Sequence, residues 1–573
     1  MSEFDLVVRA GTVVDGTGSE ARAADVAVRD GMIVEVGEVS GRGRQELHAD
    51  GALVTPGWVD IHTHYDAQAT WDSVLQPSSW HGVTTVVSGN CGVGFAPVRD
   101  ADHTTLIEIM EGVEDIPGTA LHEGLKWGWE SFGGYLDALE EIPHDIDIGV
   151  YVPHDPLRLY VMGKRGAARE DATDEDIAEM GRLARAGIEE GALGFSTDRL
   201  AFHRTAHGEH TPAFGAAARE CIGIATEAGK AGPGALNLVS DFDGLDEEFD
   251  MVESMVTASG MPLSFTLVSR EGDNQKRLRG LLARLESANA RGIPVVGQVA
   301  PRAIGVLYGL PCSLNPFSMN PVFATIEQLT PAEQVAAMRD PSFRDRLLAA
   351  PSANPDFRVG GAWLDQWDRM FEMEDPPDYE PHPSQSLAAR AQREGRTPAE
   401  LAYDILLSDN GLGMIYVPLT NYHGNLDVVG EMLAHPHTMP GLSDGGAHVG
   451  AICDASFPTT LLQYWGRDRR NGKLAVPFII EQQCARTARF LGLHDRGVLS
   501  PGYRADLNVI DFENLHVRRP EMRFDLPAGG KRLMQRAHGY LHTIVRGVET
   551  YRNGEATGEL PGLVIRGPQR AHR

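Results

Sequence analysis

Two histidines separated by one residue stand at the end of an apolar run, in "VTPGWVDIHTHYD". Residues i and i+2 of an extended segment point to the same side, so His62 and His64 are expected to face one ion together. A His-x-His pair is also common as a surface or structural pair. Its position at the end of a predicted barrel strand favours a metal site, because barrel enzymes keep their chemistry at that end.

A cysteine follows the next apolar run, in "TTVVSGNCGVGFAPVR". A cysteine after two valines is commonly a small buried hydrophobic residue. The glycines at 89, 92 and 94 instead predict a turn that brings the backbone close to a ligand. A thiolate in such a turn is a strong soft ligand for Zn²⁺, so Cys91 is a candidate ligand.

An aspartate closes a third short run, in "TMPGLSDGGAHVG". Asp before Gly is commonly a turn residue. If Asp444 lies beside an ion held by His62 and His64, its carboxylate can orient a water, take its proton and pass that proton to a leaving nitrogen. His448, four residues later, is predicted to support this site through a neighbouring residue; a solvated histidine at a helix start is the alternative.

Substrate contacts are predicted at basic residues and histidines that follow other apolar runs. Arginine suits a substrate carboxylate because its guanidinium donates two parallel hydrogen bonds. Histidines in "VYVPHDPLR" and "AFHRTAHGEH" are expected to contact substrate rather than metal. The predicted substrate-binding residues are Arg158, Arg270, His154 and His203.

Short apolar runs alternate with helix-length segments after residue 57. Segments 174–190 and 213–229 have amphipathic helical periodicity. About eight buried-strand-like runs with helices between them predict an α/β fold, specifically a (β/α)8 barrel. The runs are "TTVVSGN", "DIGVYVPH", "GALGFSTD", "GALNLVSD", "PLSFTLVSR", "IPVVGQVAP", "GMIYVPLT" and "TMPGLSDGG".

The two ends of the chain have β-type patterns. Hairpin signals fill the first fifty residues, and "RADLNVIDFEN" and "HTIVRGVETYRNGE" follow the barrel. The ends are therefore expected to pair into one small β-sandwich, from residues 1–57 and 491–573, around a barrel at 58–490. A Pro-rich, acidic insertion at 313–395 is expected to be a lid or a subunit contact, which is compatible with a homo-oligomer.

Composition excludes several classes of protein. The 573-residue chain has a formal net charge of −29, which repels nucleic acid and anionic membranes. The start lacks the pattern of a signal peptide, and no stretch is apolar enough for a membrane span. Five scattered cysteines without a CxxC pair disfavour a disulfide framework. These features predict a cytoplasmic protein with a small-molecule substrate.

Four segments together resemble the amidohydrolase superfamily, specifically its N-acyl-D-amino-acid deacylase (D-aminoacylase) branch: "VTPGWVDIHTHYD", "VVSGNCGVGFAPVR", "HPHTMPGLSDGGAH" and "LSPGYRADLNVID". The resemblance covers most of the chain. It implies that His62 and His64 are metal ligands, Cys91 a thiolate ligand, and Asp444 a ligand and general acid/base. The implied reaction is metal-dependent hydrolysis of a non-peptide C–N bond, with an N-acyl amino acid or similar small amide as substrate.

The chain departs from that branch at two strands. D-aminoacylases supply two further histidines from the fifth and sixth barrel strands, in sequences resembling "ATHMR" and "SHHK". This chain has "ALNLVSDFDG" and "PLSFTLVSREG" there, with residues near Asn237, Asp241, Thr266 and Ser269 in their place. We therefore expect one zinc ion, with two as the alternative. A cyclic amide or imide hydrolase and a catalytically impaired binding protein with the same fold are the alternative functions.

Overall fold

Eight parallel strands form a barrel in the computed structural model, which describes residues 3–270, 272, 275–352, 358 and 360–570. Neighbouring strands pair in parallel around the ring. In chain order, β1 to β8 are Trp58–Asp60, Val83–Ser88, Asp147–Val150 continued by Val152–Pro153, Gly194–Arg199, Ala235–Ser240, Leu263–Thr266, Val295–Val299 and Thr438–Pro440. The predicted α/β barrel is confirmed.

The ring closes between the segments that follow β1 and β8. The backbone N–H of Asp444 donates to the carbonyl of His62 at 3.1 Å, and that of His64 donates to the carbonyl of Gly445 at 2.7 Å. Thr63 and Gly445 form a parallel bridge at the same place. This closure joins two sequence motifs that are almost 400 residues apart in the chain.

Helices cover the outside of the barrel. The predicted helix Asp174–Glu190 begins at a capping box of Thr173 and Asp176, which satisfies backbone N–H groups of its first turn. Met180, Ala184 and Ile188 recur every four residues and are buried. The other α-helices before β8 and outside the insertion are His103–Glu114, Gly118–Gly124, Phe132–Glu140, His154–Met162, Lys164–Ala167, Ala218–Gly229, Leu245–Ser259, Lys276–Ala290 and Asp427–Ala434.

The helices after β8 include π-helical turns. They are Phe457–Thr460, Leu461–Asp468 (π), Val476–Ile480, Glu481–Arg486 (π) and Thr487–Phe490. Among the helices of the described residues, none combines the length and the apolar character needed to span a bilayer.

The insertion between β7 and β8 has its own sheet and core. Gly305–Gly309 and Phe371–Glu372 both pair antiparallel with Met414–Pro418. Its helices are Pro331–Met338, Pro341–Ala349, Leu387–Glu394 and Pro398–Leu407. The prediction of "GMIYVPLT" as a barrel strand is therefore wrong. A strand buried in an inserted sheet has the same apolar run as a buried barrel strand, so the pattern does not separate the two.

Both chain ends contribute to one nine-stranded sheet. Leu53–Pro56 from the first end pairs antiparallel with Leu507–Ile510 from the second, so the predicted pairing of the ends is observed. Hydrogen bonds make this a single continuous sheet. Its other strands are Phe4–Val13, Arg22–Arg29, Met32–Gly37, Gly43–His48, Tyr540–Val545, Val548–Arg552 and Glu555–Ala556. Four further strands near the second end form two small antiparallel pairs: His516–Val517 with Ala537–His538, and Glu521–Leu526 with Gly530–Met534.

Candidate metal centre and active site

Three predicted ligands converge at the carboxyl end of the barrel. Donor atoms of His62, His64 and Cys91 all lie within 4.8 Å of one another. The Nε2 atom of His62 is 3.3 Å from Cys91 Sγ and 3.5 Å from an Asp444 carboxylate oxygen. The Nε2 atom of His64 is 3.9 Å from the same oxygen. The structure thus brings together all four residues that the motifs singled out.

Each histidine of the pair has a buried oxygen behind its ring. Nδ1 of His62 is 2.9 Å from the side-chain oxygen of Gln298, and Nδ1 of His64 is 3.2 Å from a carboxylate oxygen of Glu114. The acceptor Gln298 favours the His62 tautomer with the proton on Nδ1, which leaves Nε2 as a lone-pair donor. Nδ1 of His64 contacts the Glu114 carboxyl without forming a hydrogen bond among the described residues. The arrangement at His62 is typical of metal-binding histidines.

The turn that holds Cys91 has an unfavourable backbone conformation. Cys91 follows β2 in the short turn Asn90–Gly92 and has φ = 54°, in the left-handed region that L-residues seldom adopt. Asn237 of β5 and Ser196 of β4 accept hydrogen bonds from the backbone of Cys91 and Gly92, at 3.4 and 3.2 Å. Neighbouring strands therefore hold a strained turn in place, as is common at functional sites.

Asp444 is fixed by the closure of the barrel. Its backbone has φ = 49° and is hydrogen-bonded to His62 as described above. The preceding Ser443 hydroxyl donates to the buried carboxylate of Asp60 and lies 3.2 Å from the His62 carbonyl. The strands at which the barrel closes thus set the distance between the Asp444 carboxylate and the histidines.

Burial favours the neutral form of each of these groups, and a bound cation would reverse that preference for the thiol and the carboxyl but not for the imidazoles. Burial lowers the pKa of His62 to about 4 and that of His64 well below its ordinary value, so both rings are neutral donors near pH 7. Burial also raises the pKa of the Cys91 thiol and of the Asp444 carboxyl well above their ordinary values. Nearby carboxylates raise the pKa values of Cys91 and Asp444 further.

The donor set fits a divalent transition metal. Two imidazole nitrogens, one thiolate and one carboxylate are ligands that Zn²⁺ accepts, and a divalent charge stabilises the ionised thiol and carboxyl that burial disfavours. A buried oxygen of Glu114 has no hydrogen-bond partner among the described residues. It lies 3.5 Å from Nε2 of His448, so Glu114 connects His64 to the predicted supporting residue His448.

Replacing Gln298 by methionine, which is similar in size, is expected to weaken zinc affinity by about 10- to 100-fold, because Nδ1 of His62 loses its acceptor. Competition with a fluorescent zinc chelator measures the affinity. Gln334→Met is the matched control, because Gln334 is a buried amide in the insertion that donates to a backbone carbonyl at 2.9 Å. Equal affinities of the two variants would contradict the role given to Gln298.

An open cavity of about 890 Å³ lies in front of the four candidate ligands. Arg270 lines it but is ion-paired with Asp241 at the same wall. His203 also lines it, so two of the four predicted substrate-binding residues face this space. Apolar side chains make up much of the remaining wall, among them Leu200, Val239, Val268, Ile304, Trp363, Leu419 and Leu442.

The structure places the other two predicted substrate-binding residues in a buried cluster outside the cavity lining. Arg158 donates to both carboxylate oxygens of Glu220 at 2.8 Å, and Nε2 of His154 is 3.0 Å from the same carboxylate. All three side chains are almost fully buried. This placement gives no support to a substrate contact, because Glu220 already neutralises the charge of Arg158.

Replacing Glu220 by alanine is expected to lower the free energy of unfolding by about 3–5 kcal/mol, because the charge of Arg158 stays buried without its counterion. Urea unfolding measures the change. The exposed pair Arg185 and Glu189, 2.8 Å apart on one helix, gives the control Glu189→Ala, with an expected loss below about 0.5 kcal/mol. Similar losses of unfolding free energy in both variants would show that the buried ion pair contributes no more to stability than the exposed one.

The residues that stand where D-aminoacylases have their two further histidines make other contacts in this structure. Asn237 on β5 binds the Cys91 turn, as described above, and Asp241 pairs with Arg270. Thr266 at the end of β6 lines the cavity and has a buried hydroxyl without a hydrogen-bond partner among the described residues. Ser269 binds the insertion through Asn421, whose side-chain oxygen accepts from the Ser269 N–H at 2.7 Å.

Two residues of the site were missed by the sequence analysis. Gln298 lies inside β7, and Glu114 is the last residue of the helix His103–Glu114. A signal for Glu114 exists: it follows Met110 by four residues and Ile107 by seven, on the buried face of that helix. An acidic residue on an apolar helix face indicates a buried partner.

Comparisons with known proteins identify the family of this chain. The model of the amidohydrolase family matches residues 45–551. An uncharacterized protein of Mycobacterium tuberculosis is 27% identical over 89% of this chain and 84% of its own length. The D-aminoacylase of Alcaligenes xylosoxydans xylosoxydans is 35% identical over 34% of this chain and 37% of its own length.

A solved structure shows the same fold. The N-acyl-D-glutamate deacylase of Bordetella bronchiseptica, solved with zinc and a phosphonate mimic of the tetrahedral intermediate, has a TM-score of 0.64 and 23% identity. The match covers 99% of this chain and 100% of that one. The resemblance to the D-aminoacylase branch is thus confirmed, and with the family match over most of its length the chain belongs to the amidohydrolase family, hydrolases of carbon–nitrogen bonds other than peptide bonds.

Proposed function

We propose that this protein deacylates an N-acyl amino acid, in particular an N-acyl-D-amino acid, with the help of one divalent ion. The observation that carries the proposal is the convergence of His62, His64 and Cys91 within 4.8 Å, with the Asp444 carboxylate beside them. The names of two relatives, D-aminoacylase and N-acyl-D-glutamate deacylase, support this class of substrate.

His62, His64, Cys91 and Asp444 are the residues that would hold the ion, and zinc is the metal that this mixed nitrogen, sulfur and oxygen set favours. A bound zinc ion supplies Lewis acidity, which polarises an amide carbonyl and makes water more acidic. The absence of histidine from the ends of β5 and β6 supports one ion rather than two.

Asp444 is the residue proposed to move the proton. Its carboxylate faces the cavity and keeps 14% side-chain exposure, so water reaches it. It takes a proton as water attacks the amide carbon, and the C–N bond then breaks with the electron pair and a proton passing to nitrogen. Gln298 orients the His62 ring through its hydrogen bond to Nδ1, and the buried Glu114 carboxyl lies 3.2 Å from Nδ1 of His64.

The substrate's carboxylate is proposed to bind at Arg204, because the neighbouring Arg270 is already ion-paired with Asp241. Arg204 and Arg270 line the cavity on the side of β4 and β5, together with the acidic residue Asp241. Arginine binds carboxylates in a bidentate geometry, which would orient the amide relative to Asp444. The apolar residues of the cavity lining suit an acyl chain or an apolar side chain.

A panel of N-acyl-D- and N-acyl-L-amino acids and cyclic amides, assayed with protein supplied with zinc and with mass spectrometry of the products, tests the proposal. Release of two molecules, a carboxylic acid and an amino acid, is the expected result. One ring-opened product from a cyclic amide, with no acyl amino acid hydrolysed, would favour the cyclic amide hydrolase. No turnover of any substrate, with no metal bound, would favour a binding protein.

A further inference from the structure

A buried aspartate holds one imidazole of the cavity wall in a fixed orientation. Nδ1 of His203 is 3.1 Å from a carboxylate oxygen of Asp198, and Asp198 is fully buried at the carboxyl end of β4. The ring nitrogen left for a ligand is Nε2, because Asp198 occupies Nδ1. His203 itself lines the same cavity as the metal ligands.

Other contacts fix the aspartate in turn. Asp198 also accepts a hydrogen bond from the backbone N–H of Leu200 at 2.7 Å and from the hydroxyl of Thr211 at 3.3 Å. The Cys91 turn packs directly against it, since a Cβ placed on Gly92 would lie 3.1 Å from the Asp198 backbone nitrogen. The backbone of the Asp198–His203 dyad therefore packs against the turn that holds the candidate ligand Cys91.

The Asp198–His203 dyad lies near the candidate metal ligands but is not part of the ligand set. His203 lines the same cavity as His62, His64 and His448. Within the described residues, the tight cluster of donor atoms contains only His62, His64 and Cys91. Substrate bound in the cavity in front of that cluster would therefore meet the His203 ring.

We propose that His203, oriented by Asp198, is a second catalytic residue that donates the proton to the departing nitrogen. This inference rests on the proposed amide hydrolysis and adds to it a division of labour: Asp444 accepts the proton of the attacking water, and His203 protonates the leaving group. A carboxylate behind an imidazole both orients the ring and stabilises its positively charged form, which is the form that donates.

The proton count closes over one turnover. The oxygen of water forms the new bond to the carbonyl carbon, and one proton of that water passes to Asp444. The C–N bond breaks, its electron pair stays on nitrogen, and nitrogen receives the Nε2 proton of His203. The proton on Asp444 leaves to solvent and His203 takes one from solvent, so both residues return to their starting states and no further reagent is consumed.

A comparison of two leaving groups tests this role. The probes are the best N-acyl amino acid from the panel and a 4-nitrophenyl ester with the same acyl group, whose phenolate departs without a proton. For His203→Gln we expect kcat/KM to fall about 10²- to 10⁴-fold on the amide and less than about threefold on the ester, because only the amine needs a proton donor. Zinc content should stay at the wild-type value.

His207→Gln is the matched control, because His207 lies on the same loop with 70% side-chain exposure and contacts Glu108. It should behave as wild type on both probes. If His203→Gln fails to fold, Asp198→Asn serves instead: the amide oxygen preserves the bond to Leu200, while the ring loses its negatively charged partner. The same selective loss on the amide is expected.

Three results would overturn the inference. Equal losses of kcat/KM on the amide and the ester would show that His203 does not protonate the leaving group. A rise in KM alone would indicate that His203 binds substrate, and a loss of zinc would indicate that it is a metal ligand. Wild-type protein that is zinc-loaded and hydrolyses neither probe would reject the proposed function itself, which separates that failure from a failure of His203 alone.

Discussion

Replacing Asp444 by asparagine is expected to lower kcat on the amide substrate by about 10²- to 10⁴-fold or more, because the amide side chain cannot accept the proton of water. The fold should be unaffected. Asparagine tolerates the positive φ of 49° at this position, and the backbone bond from residue 444 to His62 does not involve the side chain. Steady-state kinetics and circular dichroism measure the two effects.

Asp243→Asn is the control for the loss of a negative charge near the cavity. Asp243 also lines the cavity, but its side chain is 72% exposed and pairs with Arg277. Its substitution should leave kcat within about twofold of wild type, because solvent screens a charge that is this exposed. Full activity of Asp444→Asn would show that Asp444 does not accept the proton of water.

Replacing Cys91 by alanine is the second change with a large expected effect. Substituting a residue that only supports a ligand lowers metal affinity by about 10- to 100-fold. Zinc affinity should fall by more than this in Cys91→Ala, because the variant loses a ligand atom itself. The backbone strain at residue 91 is unchanged, since alanine keeps the Cβ atom that makes φ = 54° unfavourable. Zinc titration and activity at limiting zinc measure the loss.

Cys484→Ala is the matched control. Cys484 is also a fully buried free cysteine, but it lies in the helix Glu481–Arg486 against the carbonyl of Pro56. Its replacement should cost stability without changing zinc affinity. If Cys91→Ala binds zinc as tightly as wild type, Cys91 is a packing residue, as its place after two valines also allows.

The four motif residues were predictable because local patterns place them. His62 and His64 alternate after β1, and the glycines around Cys91 mark its turn. Asp444 precedes two glycines shortly after β8. Each motif lies just beyond a strand, and parallel barrel strands bring their carboxyl ends to one face. The barrel fold therefore converts three separate local signals into one site.

The residues behind the ligands were not predictable in the same way. Gln298 and Asp198 lie inside or at the end of buried strands, where a polar side chain has no periodic signature. Gln298 and its partner His62 are 236 residues apart in sequence and meet only in the folded barrel. Such pairings depend on tertiary packing, which strand and helix patterns do not encode.

The insertion illustrates a second limit of the sequence. Met414–Pro418 and the true last strand, Thr438–Pro440, are both short and buried. Only hydrogen-bond partners distinguish them, since the first pairs antiparallel with Gly305–Gly309 and the second pairs in parallel with β7. The insertion's sheet therefore reaches well beyond the segment 313–395 that composition alone indicated.

The metal content of the purified protein tests the central claim most directly. Protein prepared without added metal should contain about one equivalent of zinc, bound by the four residues of a single site. Removal with a chelator should abolish amide hydrolysis, and added zinc or cobalt should restore it. Protein that contains no metal, takes up neither zinc, cobalt nor manganese, and folds normally would contradict the account.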